Sequence, residues 1–63
     1  MTVGSILSVE YTTGEKFTGE VVQVRGMSGH RILFTLKIDG VGYRAMYLHK
    51  CVKCDYVGFA YTN

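Results

Sequence analysis

The chain has 63 residues, of which 48% are hydrophobic and 13% aromatic, and its formal net charge is +2. A chain of this length forms at most one domain, here residues 1–63, and its apolar content excludes an intrinsically disordered protein. A charge of +2 is too small to indicate a nucleic-acid ligand by itself, so the placement of the cations must decide.

The sequence contains no targeting or membrane signal that we can identify. Its N-terminal residues lack the basic region and the long apolar run of a signal peptide, and no run approaches the ~20 apolar residues of a membrane span. Two cysteines separated by two residues make a poor disulfide framework. We therefore expect a cytoplasmic protein without membrane contact.

Two segments near the N-terminus predict a β-hairpin. Residues 6–11 alternate, with Leu7 and Val9 on one face and polar residues on the other. Residues 12–16 are turn formers, so a second strand over residues 17–25 should pair back antiparallel.

The second strand has a break in its parity. Val21 falls on the opposite face from Val22 and Val24, which predicts a bend or bulge near Gly19. Gly14 can adopt a positive φ in the preceding turn, and Gly19 removes a side chain at the bend.

The second half of the chain predicts three more strands and no helix. Residues 32–38 carry apolar side chains at strict two-residue spacing. Asp39-Gly40 then predicts a type I′ hairpin turn. The remaining predictions are a fourth strand from residue 41 or 42 to about residue 51, a corner over residues 52–55 and a closing strand within residues 56–61.

Five short strands in so small a chain predict an all-β fold, a single five-stranded antiparallel barrel. A closed barrel is favoured because an open sheet of this size leaves one face wet. We expect an SH3-like or Sm-like barrel, with an OB-like barrel as second choice.

The early glycines and apolar residues resemble the first motif of Sm-like proteins, at Gly14, Phe17, Gly19, Val21 and Val24. Residues 42–48, with Tyr43-Arg44 near their start, are loosely similar to the second Sm motif. The resemblance implies an RNA-binding surface on a ring of subunits. The chain departs from the family at Arg25, where an acidic residue is usual. The Tyr43-Arg44 segment is also similar to WYL-type domains and to small phage SH3-like proteins.

The first candidate site is the loop that begins at Arg25. Arg25, His30 and Arg31 flank a glycine-containing tip, where arginine forks and backbone N–H groups suit phosphate. Met27 at this tip fits a contact with a partner better than it fits water. The alternative is a solvated hairpin tip whose charges only confer solubility.

The second candidate interleaves basic and aromatic residues after the hairpin turn, namely Tyr43, Arg44, Tyr47, His49, Lys50 and Lys53. On a barrel surface these side chains would stack bases and neutralise the backbone of a single strand. Parity places Tyr43 and Tyr47 on the face opposite Arg44, and the sequence leaves open which face is buried.

A metal site over His49, Cys51 and Cys54 is a less favoured hypothesis. The Cys-x-x-Cys spacing provides half of a tetrahedral zinc site, but no second pair exists and structural zinc needs four ligands. We expect the two cysteines to be small packing residues, and we expect no cofactor.

The sequence provides no catalytic constellation, so we do not expect an enzyme. The first hypothesis is a regulatory module that binds RNA or single-stranded DNA through Arg25, His30, Arg31, Arg44, Tyr47, Lys50 and Lys53. The alternative is a protein-interaction module or small inhibitor, of the kind that phages encode, which acts on a larger host protein with Met27 and Tyr43 as contacts. With either function we expect a homo-oligomer, because a chain this small has an exposed edge to cover.

Overall fold

The computed structural model describes residues 1–26 and 31–61. Its five strands are β1 (Ser5–Tyr11), β2 (Lys16–Arg25), β3 (Leu33–Ile38), β4 (Gly42–Tyr47) and β5 (Cys51–Phe59). They form one antiparallel sheet in the order β4-β3-β2-β1-β5. The prediction of an all-β fold with five antiparallel strands is confirmed. The sheet does not close on itself, and β4 and β5 are its two edges.

Strand β2 changes its pairing partner around Gly19, a position that we call the bend. Its first half pairs with β1 as far as Glu20, and its second half pairs with β3 from Glu20 onward. A Cβ at Gly19 would lie 2.6 Å from the carbonyl oxygen of Lys37 on β3. Glycine is therefore required here, because any side chain would separate the two strands at the bend.

The predicted break in parity is a β-bulge at Val22. The register of β2 against β3 shifts between Val21 and Gln23. Because of this extra residue, Val21 opposite Leu36 and Val24 opposite Phe34 both point to the same side of the sheet. The bulge thus gives the core two β2 side chains that simple alternation would place on opposite faces.

The core lies on one side of this bent sheet, which we call the inner face. Its buried apolar side chains come from β1 to β4 and are Leu7, Val9, Val21, Phe34, Leu36, Ile38 and Met46. Strand β5 contributes only the half-buried Cys51 to the packing around them. The inner face is consequently well filled in the middle of the sheet and thin at the β5 edge.

The predicted boundary between the last two strands is wrong. Strand β4 ends at Tyr47, a 3₁₀ turn covers Leu48–Lys50, and β5 begins at Cys51, so the predicted corner at residues 52–55 is strand. The Leu48 N–H donates to the Ile32 carbonyl at 2.9 Å, and the Lys50 carbonyl accepts from the Thr12 N–H at 3.1 Å. Tertiary hydrogen bonds fix this corner, and no local turn residue marks it.

The β3–β4 hairpin is real, but its turn is not type I′. The Val41 N–H donates to the Ile38 carbonyl at 3.1 Å, and Gly40 has a φ of 80°. Among the described residues only glycines have positive φ, so Asp39 does not enter the left-handed region. A single positive φ at the third residue is the pattern of a type II turn.

We expect Gly19→Ala to destabilise the domain by about 1–3 kcal/mol, the usual cost of forcing an extra group into a filled space. The measurement is the free energy of unfolding from urea titration. Gly58→Ala is the matched control, because a Cβ there meets no neighbouring atom within 4 Å. Equal stability of the two variants would contradict the role assigned to the bend.

Candidate nucleic-acid interface

The structure shows which face of β4 is buried. Met46 lies opposite the buried Phe34 and faces the core. Tyr43 and Tyr47 therefore lie on the opposite side, the outer face of the sheet, where 69% of Tyr43 and 44% of Tyr47 is exposed. The sequence leaves open which face of β4 is buried, and the structure places both tyrosines on the exposed face.

Two cations share the outer face with these tyrosines. Lys37 on β3 lies directly opposite Tyr43. At the other end of β4, Tyr47 lies opposite Leu33, which in turn lies opposite Arg25 on β2. With its amide oxygen turned toward the guanidinium, Gln23 accepts from Arg25 Nε and Nη2 at 3.1 Å. Each exposed tyrosine thus has a basic residue in its own cross-strand row.

A second arginine reaches the same end of the sheet. A Cβ built on Gly26 would lie 2.5 Å from the carbonyl oxygen of Arg31, so the backbones that carry Arg25 and Arg31 are close together. The ring of His49 lies 5.4 Å from that of Tyr47, tilted by 46°. We call Arg25, Lys37, Tyr43 and Tyr47 the basic-aromatic face, and the Arg31 backbone lies beside its Arg25 end.

The acidic group in the middle of the outer face has a hydrogen-bond partner. Glu20 lies opposite Lys37, and its carboxylate accepts a hydrogen bond of 3.0 Å from the Tyr61 hydroxyl. This hydrogen bond, together with the negative charge of Glu20, raises the pKa of Tyr61. Tyr61 therefore remains a neutral donor to the carboxylate at physiological pH.

Arg44, which the sequence groups with the other candidates, lies elsewhere. It is opposite Leu36 and so projects on the inner-face side, where its guanidinium carbon is 5.0 Å from the centroid of the Phe17 ring. This is the geometry of a cation–π contact at the rim of the core. Strand parity prevents Arg44 from sharing a surface with Tyr43 and Tyr47.

The remaining predicted cations are also apart from the basic-aromatic face. Lys53 lies on β5, at the opposite edge of the sheet, directly across from Glu10, which itself lies opposite Lys16. Lys50 is exposed in the 3₁₀ turn after β4. His30 and Met27 lie outside the described residues.

Sequence reasoning missed Lys37. The signal that could have found it is the hairpin itself, because pairing around the Asp39-Gly40 turn determines which β3 residue lies opposite Tyr43. The assumption of a two-residue turn obscured this pairing. The actual connection of three residues aligns Ile38 with Gly42 and hence Lys37 with Tyr43.

The two cysteines lie on the inner-face side of β5 and are not disulfide-bonded. Cys51 is opposite Tyr11, Cys54 is opposite Val9, and the Cys51 thiol donates to the Tyr47 carbonyl at 3.6 Å. In residues 1–26 and 31–61, no three His, Cys, Asp or Glu side chains converge to hold a metal ion. Cys51 is half-buried and packs against the core, as predicted, whereas Cys54 is exposed.

Comparison with protein-family models, with curated proteins and with solved structures found no match to this chain. Within the described part of the chain, no helix has the length and apolar character required to cross a membrane.

We expect both thiols to react slowly with iodoacetamide at about pH 8 in the folded protein. Partial desolvation, the larger cause, raises the pKa of the half-buried Cys51 and of the more exposed Cys54 above that of an ordinary thiol, and a neighbouring negative charge adds to the shift in each case. Less thiolate is then present than in the unfolded chain. Mass spectrometry of alkylation with and without urea measures the difference, and equal rates would contradict it.

The same pKa shifts lower the free energy of unfolding at alkaline pH. The folded chain keeps thiol protons that the unfolded chain releases, so this contribution is present below about pH 9 and is lost as the pH rises through the folded pKa values. Cys51→Ser with Cys54→Ser should reduce the fall in unfolding free energy above that pH. An undiminished fall would assign it to other groups.

Proposed function

We propose that this domain is a cytoplasmic, SH3-like or Sm-like module that binds RNA or single-stranded DNA on its basic-aromatic face and acts as a regulator. The observation that carries the proposal is the joint exposure of Tyr43 and Tyr47 on the same face as Lys37 and Arg25. The change of partner of β2 around Gly19 supports the fold assignment, because a barrel requires its neighbouring strands to pair in a staggered register.

The tyrosines supply stacking surfaces along one line. Four residues of extended strand place their Cα atoms about 13 Å apart on the same side of the sheet. An extended single strand that follows β4 can therefore stack separate bases on the two rings. Stacking on an aromatic ring contributes about 1–3 kcal/mol per base and tolerates any base, so the expected selectivity is for single strands and not for sequence.

The cations supply contacts to the phosphate backbone. Lys37 and Arg25 are in register with the two tyrosines, and Arg31 extends the positive end beyond Arg25. The carboxylate of Glu20 accepts from the Tyr61 hydroxyl and keeps its negative charge. The three cations outnumber Glu20, so positive charge is concentrated at this face and is not spread evenly over a chain with a net charge of +2.

A protein partner is the second candidate function, either as a binding module or as a small inhibitor of a larger host protein. The observation in its favour is that β4, within the described part of the chain, pairs with β3 alone, so its other edge can accept a strand. Hydrogen exchange separates the two candidates. A bound strand would slow exchange of the β4 backbone amides, whereas nucleic acid on the outer face would leave them unprotected.

Binding of a mixed-sequence oligonucleotide should weaken with salt with a logarithmic slope of about −2, the value for three phosphate contacts to a single strand. Arg25→Ala, Arg31→Ala and Lys37→Ala should each reduce the slope by about 0.7. Lys16→Ala is the control, because it removes a cation at the far end of β2, opposite Glu10. Fluorescence anisotropy measures all four variants, and binding insensitive to salt would exclude this interface.

Tyr47→Leu and Tyr43→Leu should each weaken binding by about 1–3 kcal/mol without changing the salt slope, since they remove stacking and not charge. Tyr47→Phe is the matched control and should retain most of the affinity, because it keeps the ring and removes only the hydroxyl. If the phenylalanine variant loses as much affinity as the leucine variant, the hydroxyl and not the ring makes the contact, and stacking is excluded.

A further inference from the structure

The β5 edge of the sheet has an unpaired backbone and exposed apolar side chains. In residues 1–26 and 31–61, β5 pairs with β1 alone, so the N–H and C=O groups along its other side lack a strand partner there. About two thirds of Tyr56 is exposed, at 66%, and Val52 and Val57 are 62% and 60% exposed. Such an edge is a template for the addition of another strand.

A shallow hollow lies beside this edge. It has a volume of about 480 Å³ and is lined by Met1, Thr2, Ser5, Leu7, Leu48, Cys54 and Tyr56. Tyr56 lies opposite the buried Leu7, and Cys54 lies opposite the buried Val9, so the hollow extends the core toward the edge. A strand paired with β5 would lie beside the place where the core is thinnest.

The charges on β5 distinguish between candidate partners. Lys53 and Asp55 lie opposite Glu10 and Ser8 on the outer face, two positions apart on the same strand. The strand therefore carries one positive and one negative side chain on either side of Cys54. An antiparallel copy of the same strand reverses their order, so each charge can lie opposite its complement.

Symmetry limits the registers available to such a pair. Two copies that pair antiparallel at the same edge are related by a two-fold axis perpendicular to the sheet, so their outer faces lie on the same side. Residues directly opposite each other must share a face, so one residue must lie opposite its own copy, with the axis midway between the two. We call this an axis through that residue. The regular part of β5, between its register shifts against β1, is residues 53–56, which leaves four registers.

Only one of these four registers pairs opposite charges. An axis through Lys53 places lysine opposite lysine, and an axis through Asp55 places aspartate opposite aspartate, which is unfavourable. An axis through Tyr56 leaves both charges without a charged group opposite. An axis through Cys54 places Lys53 opposite Asp55 of the second copy, and the symmetry forms this pair twice.

We propose that the chain forms a two-fold symmetric dimer through β5, with Cys54 of each copy at the axis and two Lys53–Asp55 pairs flanking it. The two five-stranded sheets then join into one sheet of ten strands. The irregular positions at either end of residues 53–56 confine the pairing to this short segment. An isologous contact of this kind closes at two copies.

The charge pairing is tested by exchanging the charges at Lys53 and Asp55. Light scattering should give twice the 7.0 kDa chain mass for the wild type. Asp55→Lys alone should weaken the dimer by at least about tenfold, because it places lysine opposite lysine twice. Lys53→Asp combined with Asp55→Lys in one chain should restore it. A mixture of the Lys53→Asp variant and the Asp55→Lys variant should form heterodimers, which native mass spectrometry detects.

The register is tested by oxidation. Directly opposite Cβ atoms are about 4.5–5.5 Å apart, close to the separation that a disulfide requires. In a Cys51→Ser background, diamide should oxidise the two Cys54 thiols to one intermolecular disulfide at a rate independent of dilution above the dimer dissociation constant. Asp55→Lys in that background should slow the reaction.

Three results would overturn the proposal. The first is a monomer mass at concentrations up to about 1 mM, which would leave the edge to a different protein or to solvent. The second is an assembly larger than two copies, which would indicate head-to-tail pairing of β4 with β5. The third is a dimer that Asp55→Lys leaves unchanged. Circular dichroism and urea unfolding of each variant establish that a loss of dimer is not a loss of fold.

Discussion

The close approach of Gly19 to the backbone of β3 is the contact on which the rest of the structure depends. It allows one ten-residue strand to pair with β1 along its first half and with β3 along its second half. A Cβ 2.6 Å from the Lys37 carbonyl oxygen would force β3 away from this bend. The side chain of Lys37 lies on the outer face, so the bend also positions a cation of the proposed interface.

The bend and the Val22 bulge together decide which residues fill the core. Without the bulge, Val21 and Val24 would point to opposite sides, and the inner face would lose one of its contributions from β2. With it, seven apolar side chains are buried among the residues that the structure describes. A core of that size stabilises the middle of the sheet and leaves the β5 side underfilled.

Much of the fold can be predicted from the sequence because its cause is local. The alternation of Phe34, Leu36 and Ile38 on β3, the turn glycine Gly14 and the bend at Gly19 are all visible in the residue order. The corner at Leu48–Lys50 is not, because backbone bonds to Ile32 and Thr12 hold it, and these are distant in sequence. The dipeptide Asp39-Gly40 by itself favours a type I′ turn, whereas the actual connection between β3 and β4 has three residues.

The site could be predicted only in part, for the same reason. Alternation shows that Tyr43 and Tyr47 share one side of β4 and that Arg44 takes the other. It does not show which side is buried, since that depends on Met46 meeting Phe34 across strands. Lys53 is basic and near Tyr47 in sequence, but the turn before β5 carries it to the other edge of the sheet. Closeness in sequence therefore does not indicate that Lys53 and Tyr47 share a surface.

The proposed nucleic-acid interface and the proposed dimer contact lie at opposite edges of the sheet. The stacking tyrosines lie on β4, and the self-complementary charges lie on β5, separated by three strands in the sheet order. Because the two-fold axis is perpendicular to the sheet, a dimer through β5 keeps both basic-aromatic faces on one side. A single strand long enough to reach both would bind the second face intramolecularly, at an effective concentration set by the nucleotides between them. Dimerisation would then raise affinity for long single strands without adding any contact, so the effect of β5 on binding should depend on the length of the ligand.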